Sequence, residues 1–388
     1  MKTEFGKAAE PDFSIVTARN NQEVELLRTA WQRLQWHPNA DIDFYLTVLA
    51  SRPEILRPHV IALGSNGDVK AMLIGRIEER ALDFKVGYKT VLRPKARVLT
   101  IIYGGILGDA SPGVCRILIK ILMEALNKGE ADMIAFSHVD INSPLLSFGK
   151  TLPNFLQRDY AIGVNAHLKI NLTGTMEDFL RRVERNTRRI CRKFEREEQV
   201  QVKCFSSVED VKILCNDIEQ IAKTTYHRGL GVGFVYNNEN ENILVLSAIN
   251  GWLRGYVLYV GGRPCSFWLA TLYKKTAHTG FTGYLPEYQH YKPGALLFLK
   301  MIEDFYRMPN LESVDLGFGD ALYKRQYCDH SWEEVSFYIY SRSFRGLRLN
   351  IGRTVVGFID LNLRRFVKNL KLEAKIKKIW RLSKAGKD

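Results

Sequence analysis

The sequence predicts an α/β protein made of two similar units, and three observations carry that expectation. At 388 residues the chain exceeds the roughly 250–300 at which a single hydrophobic core stops growing. Apolar residues make up 46% and charged residues 25%, an ordinary globular balance with enough apolar side chains to fill two cores. An order of elements also recurs: in each half a helix, a hairpin and a strand are followed by a helix opened by Pro-Gly and then a strand. Pro112-Gly113 precedes Asp132 by 20 residues and Pro293-Gly294 precedes Asp315 by 22, each interval holding one apolar helix that leads into a strand.

The elements follow in order. "SIVTA" reads as a first strand, and "NQEVELLRTAWQRL" as an amphipathic helix with Val24, Leu27, Ala30, Trp31 and Leu34 on one stripe. "HVIALGSNGDVKAMLIGRI" is a hairpin around Asn66-Gly67, a pair suited to the positive φ of a primed turn. "RVLTIIYGGILGD" is a buried strand in which Gly104-Gly105 resembles a glycine-rich phosphate loop only superficially and is explained as well by close strand packing. A helix with Pro112 near its first position and the strand "ADMIAFSHV" close this half.

In the second half "DVKILCNDIEQIAKTTYHR" is helical, "YVLYVGGRPCSFWLATL" is a hairpin around Gly261-Gly262, and "AHTGFTGYL" is a strand. "KPGALLFLKMIEDFY" and the strand "SVDLGFG" complete the repeat. His227, in "TYHRGLG", either ends a helix beside Gly229 or belongs to a site.

Between the halves, residues 175–198 read as one long helix, begun by a capping-box pair, Thr175 and Asp178, with Phe179, Val183, Ile190 and Phe194 on one face. Its other faces carry Arg181, Arg182, Arg185, Arg188, Arg189, Arg192, Lys193 and Arg196. They form either a solvated face partly paired with glutamates or an anion-binding one. Residues 346–388 form a basic amphipathic tail, which either packs on the second domain or lies on an anionic leaflet. The expected division is therefore 1–165, 166–345 including the basic helix, and 346–388.

Charge and motif searches narrow the function. The net charge of +14 favours an anionic partner: nucleic acid, a phosphorylated cofactor or an acidic membrane surface. The N-terminal stretch lacks the apolar core of a signal peptide, and no segment approaches the roughly 18 apolar residues of a membrane helix, so a cytoplasmic chain is expected. The six cysteines are scattered, which fits reduced, mostly buried thiols and argues against a zinc or CxxC site. There is no P-loop, HExxH, GxSxG or clustered ligand set, so no metal is expected.

The order basic helix, "TTYHRGLG", "GYLPEYQHYKPGALL" and "DLGFGDALYK" resembles the CelD/BcsL-type acetyltransferase family, a branch of the GNAT superfamily associated with cellulose and exopolysaccharide production. The resemblance spans roughly residues 165 to 345, and the N-terminal half matches only in layout. It implies an α/β (α+β) fold of two tandem GNAT-like domains, each a mixed, mostly antiparallel central sheet flanked by helices. It also implies transfer from acetyl-CoA or another acyl-CoA to a hydroxyl or amine of a cell-surface polysaccharide or its precursor. The related Fem-type transferases pair two GNAT-like domains and use aminoacyl-tRNA as donor, which brings in tRNA as an alternative partner. A third reading is a non-catalytic GNAT-like binding module in exopolysaccharide synthesis.

On this resemblance the coenzyme A pyrophosphate would sit at the second Pro-Gly start, near Tyr291, Lys292, Gly294 and Ala295. A helix N-terminus there offers free N–H groups and the positive end of the macrodipole, although Pro at a first helical position is also simply a good helix start. The usual GNAT loop has Gln or Arg three residues before the first Gly and Gly or Ala two after it; here these are Tyr291 and Leu296.

Acyl transfer needs a base, an oxyanion donor and an acid for the leaving group. The strand "AHTGFTGYL" is a source of backbone N–H groups, its glycines Gly280 and Gly283 suiting a splayed or bulged strand. His278 is either a base or a surface strand residue, and Asp320 either a base or an N-cap. Tyr284, Tyr291 and Tyr323 are candidate acids or acceptor holders, and Lys324, four residues after Asp320, is positioned to pair with it.

Overall fold

The computed structural model describes residues 13–369, apart from 66, 88, 226–227, 229–232 and 320. The chain divides into two compact units, the first running to Val164 and including Glu334–Arg365, the second comprising Asn165–Glu333 and the residues from Phe366. Among the described residues no helix is long and apolar enough to cross a membrane.

In the first unit β1 (Ser14–Ala18), β2 (Ile55–Ser65) and β3 (Asp68–Ala81) pair antiparallel in sequence. Strands β4 (Phe84–Val86) and β5 (Lys89–Leu92) form a separate ribbon. Strand β6 (Lys95–Gly108) pairs antiparallel with β3 and parallel with β7 (Met133–Asp140). The second unit has β8 (Gly163–Asn171), β9 (Val200–Phe205), β10 (Leu253–Val260), β11 (Arg263–Tyr273), β12 (Thr276–Tyr284) and β13 (Ser313–Phe318). Its sheet runs β9, β10, β11, β12, β13, β8, with the β12–β13 pair parallel and the rest antiparallel. Strand β14 (His330–Tyr340) follows the second unit in sequence yet pairs antiparallel with β7 of the first. Each unit therefore contains a mixed, mostly antiparallel sheet, and the expected duplication is visible as the same ladder pattern.

The helices follow from apolar periodicity and capping. The expected first helix is two, α1 (Asn21–Leu26) and α2 (Arg28–Leu34), with Trp31 fully buried and its Nε1–H bonded to the Ala40 carbonyl at 2.7 Å. Helices α3 (Ile42–Ser51), α4 (Pro112–Asn127) and α5 (Pro144–Thr151) complete this part of the first unit, α4 burying Val114, Leu118, Ile119 and Leu122.

The expected single basic helix is also two, α6 (Met176–Arg182) and α7 (Arg185–Glu197), and the Thr175–Asp178 capping box opens the first of them. The chain breaks at Val183, whose ψ of 128° is extended, a conformation a β-branched residue readily takes. Gln326 donates to the Arg182 carbonyl at 2.9 Å, while Arg182 pairs with Asp329 at 2.7 Å. These contacts satisfy the end of α6, and the break lets Phe179, Val183, Cys191 and Phe194 all enter one core.

Helices α8 (Val211–Ala222) and α9 (Asn238–Ile249) cover another part of that sheet. Helix α10 (Pro293–Tyr306) buries Leu296, Leu297, Phe298, Met301, Ile302 and Phe305, and the short α11 (Leu322–Tyr327) follows β13. Helix α12 (Phe344–Asn369) includes the start of the expected tail; Leu349 and Val356 join Leu82, Phe84, Val98 and Met133 of the first unit. Residues from 370 onward lie outside the described residues.

Leu297 is fully buried at the centre of the α10 core. Leu297→Ala is expected to cost about 2–5 kcal/mol, read as a lower urea midpoint of the second unit's transition.

Candidate active site

The second unit's two central strands part company at one register. β12 and β13 pair in parallel as Thr276–Ser313, Ala277–Val314 and His278–Asp315, and the ladder ends there. Both strands are irregular just beyond. On β12, Gly280 and Phe281 together oppose the single residue Leu269 of β11, the bulge its glycines led us to expect. On β13, Leu316 is the extra residue against β8, and Gly317 follows with φ of 68°, where a side chain would be strained. The parallel ladder therefore stops partway along β13, toward the strand's carboxyl end, a usual place for chemistry in α/β sheets.

Asp315 stands at the end of that ladder, only 9% exposed. Its Oδ1 accepts from His167 Nε2 at 2.6 Å and from the Gly317 backbone N–H at 2.6 Å. His278 Nδ1 lies 3.5 Å from its Oδ2, and Trp332 stacks on the His167 ring with centroids 4.2 Å apart. Burial alone would raise the Asp315 pKa. Hydrogen bonds from His167 and His278, with their charge, outweigh that and hold the carboxyl well below the usual range. His278 presents Nδ1 to the carboxylate, and Nε2 is the ring nitrogen turned away from it.

Lys324, on α11, donates to the carbonyls of Leu316 at 2.6 Å and Phe318 at 3.0 Å. Burial lowers its pKa, opposed by the charge of Asp315. Its expected partner, Asp320, lies outside the described residues, as does His227. The equivalent ladder of the first unit has Thr100 opposite Ala135 as its third pair, so neither position ionises there.

The remaining expected residues fall in two groups. His278 is not a surface strand residue: its side chain is 16% exposed and faces Asp315. Tyr323 packs beside Trp268 and Phe298, with centroids 6.1 and 6.0 Å away. Tyr284 is six residues along β12 from His278, roughly 20 Å at about 3.3 Å per residue, too far to serve the same atom. It sits instead at the start of α10, where a Cβ added to Gly294 would meet its ring at 3.4 Å.

At that helix start Tyr291 stacks on Phe194 with centroids 4.6 Å apart, and the Lys292 ammonium donates to Thr187 Oγ1 at 2.9 Å. Both side chains therefore tie α7 to the turn before α10. The Ala295 N–H is taken by the Lys292 carbonyl at 3.0 Å, and Pro293 has none to give, so Gly294 is the donor left in the first three helical positions.

Sequence reasoning missed His167, Asp315 and Trp332 as site residues. A carboxylate between Val314 and Leu316, both buried, was the available signal, since an aspartate in a buried strand needs partners.

Residues 181–325 match the family model described as an acetyltransferase (GNAT) domain. This segment is less than half of the chain, lies in the second unit, and contains His278, Asp315 and Lys324. No functionally curated protein matches the sequence.

Among solved structures, a Bacteroides thetaiotaomicron protein of unknown function has a TM-score of 0.50 at 9% identity, covering 84% of this chain and 100% of its own. The C-terminal domain of a putative lysylphosphatidylglycerol synthetase from Agrobacterium fabrum gives 0.49 at 12%, with 86% and 97% covered. A tandem GNAT protein from the clavulanic acid biosynthesis pathway gives 0.48 at 12%, with 86% and 99% covered.

Folding lowers the Asp315 pKa, so the stability it contributes is full above the ordinary aspartate range and is lost as pH falls toward the depressed folded value. Asp315→Asn is expected to flatten the acid limb of the stability–pH curve and to cost about 3–5 kcal/mol at neutral pH, measured by urea denaturation across pH.

Proposed function

We propose that the second unit is an acyltransferase in which His278, oriented by Asp315, is the general base. The observation that carries this reading is the pairing of His278 with the buried Asp315 at the last register of the β12–β13 ladder, inside the segment that matches a GNAT domain. The acceptor's amine or hydroxyl attacks the acyl carbonyl carbon as His278 Nε2 takes its proton. The tetrahedral intermediate then collapses, the bond to the donor's leaving atom breaks, and that atom receives a proton.

Backbone N–H groups at the β12 bulge are suited to the oxyanion. Tyr323 and Lys324 border the same end of β13, and the depressed Lys324 pKa makes its ammonium a better proton donor to the leaving group than an ordinary lysine. Asp320, which precedes Tyr323 and Lys324 in the sequence, is the alternative base.

The proposed donor is acetyl-CoA or another acyl-CoA, with its phosphates at Tyr291, Lys292, Gly294 and Ala295. The acceptor is a hydroxyl or amine of a cell-surface polysaccharide or its precursor, the class associated with the family that residues 165–345 resemble. If so, His278→Ala lowers kcat by about 10²–10⁴-fold with little change in donor affinity. An unchanged kcat in acyl-transfer assays would remove His278 from the chemistry.

One observation favours a second donor, aminoacyl-tRNA. Arg185, Arg188, Arg189, Arg192 and Arg196 recur three and four residues apart on the face of α7 opposite buried Thr187, Cys191 and Phe194. Among the described residues none of the five forms an ion pair, and together with Glu195 they line a surface cavity of about 700 Å³.

The helix start nearby has little N–H capacity for a pyrophosphate. Calorimetry with acetyl-CoA and longer acyl-CoAs, run beside mobility shifts with tRNA at several salt concentrations, separates the donors. An acyl-CoA enzyme binds a thioester and holds tRNA weakly. A tRNA-dependent one shows steep salt dependence that Arg188→Glu with Arg192→Glu flattens.

A further inference from the structure

Helix α12 presents a face that the fold leaves bare. Phe344, Ile351, Val355, Phe358 and Ile359 recur on one side of it and are between 49% and 76% exposed. The opposite side is anchored, which fixes the helix rotation. Leu349 and Val356 are buried there, Asn350 donates to the carbonyls of Leu156 and Arg158 at 2.8 and 3.0 Å, and Arg353 donates to the Ala161 carbonyl at 3.0 Å. The apolar stripe therefore cannot be rolled inward.

Cations border it. Arg348 lies over the Phe344 ring at 5.7 Å, and Arg345 and Arg365 are exposed on its flanks. From residue 344 to 369 the sequence has six Lys or Arg and one acid, Asp360, whose carboxylate accepts the Gly87 N–H at 2.6 Å on the packed side.

We propose that this face of α12 lies on an anionic lipid surface, its apolar stripe at the acyl boundary and its arginines on lipid phosphates. Arg345 reaches the Asp132 carboxylate at 3.9 Å, and an apolar stripe that also carries Arg348 and Arg365 suits such a surface better than a neutral one or a second copy of this strongly basic chain.

The test is co-sedimentation of the full chain with vesicles of phosphatidylcholine alone and of phosphatidylcholine with phosphatidylglycerol. The expected result is binding to the anionic vesicles, weakened by salt and feeble on neutral ones. Ile351→Glu with Phe358→Glu should lower the bound fraction about tenfold or more, and Arg348→Glu should weaken binding to the anionic vesicles.

Both stripe positions are exposed, so melting temperature should be unchanged. Ile351→Ser with Phe358→Ser provides a milder pair should the glutamates perturb folding. Equal vesicle binding by these stripe variants and the parent chain overturns the proposal, as does absence of anionic binding by the parent. Self-association of the parent that the stripe variants abolish, without vesicle binding, assigns the face to a second copy and overturns it as well.

Discussion

A single buried carboxylate organises the second unit. Asp315 sits where two parallel strands stop pairing, and it is stable there because two imidazoles and the Gly317 N–H meet it. Without those partners, ionising it in a buried site would be unfavourable and the strand end would need an apolar residue. The Leu316 bulge shifts the β13–β8 register by one residue and is followed by Gly317, whose N–H meets the carboxylate, while the β12–β13 ladder stops at Asp315 itself. The same few residues thus set both the end of the parallel ladder and the charge beside it.

The second unit places two residue clusters at opposite ends of β12. The histidine–aspartate cluster lies near the start of β12, while Tyr284 and the α10 N-terminus lie at its far end. A donor that places its acyl carbon at one end and its phosphates at the other would need a long arm. Helix α7 adds arginines next to the α10 start, tied there by the Tyr291–Phe194 stack and the Lys292–Thr187 hydrogen bond. Residues first read as cofactor ligands therefore also position the basic helix.

Much of the architecture was legible in the sequence because it is written in local patterns. Proline at the first position of α4 and α10, positive φ at Gly67, Gly261 and Gly262, and the Thr175 capping box are all rules of nearest neighbours. His278 was a candidate base on the sequence, but its partner was not legible, because the neighbour on β13 is set by a parallel register that no short-range pattern encodes. His167 was invisible for the same reason, being 148 residues from Asp315. The two broken helices were missed because periodicity continues across the breaks, and only tertiary partners such as Gln326 at the Arg182 carbonyl favour ending the first segment.

The pairing of β14 with β7 has a consequence for how the chain is made. Strand β7 leaves the ribosome with its outer edge unsatisfied, and the strand that closes it is synthesised on the order of 200 residues later, after the second unit's own sheet is complete. During that interval the first half carries an open sheet edge exposed to other strands. The N-terminal half is thus a dependant of the last part of the chain, and a nascent protein halted near residue 330 would be a sticky fragment rather than a finished domain.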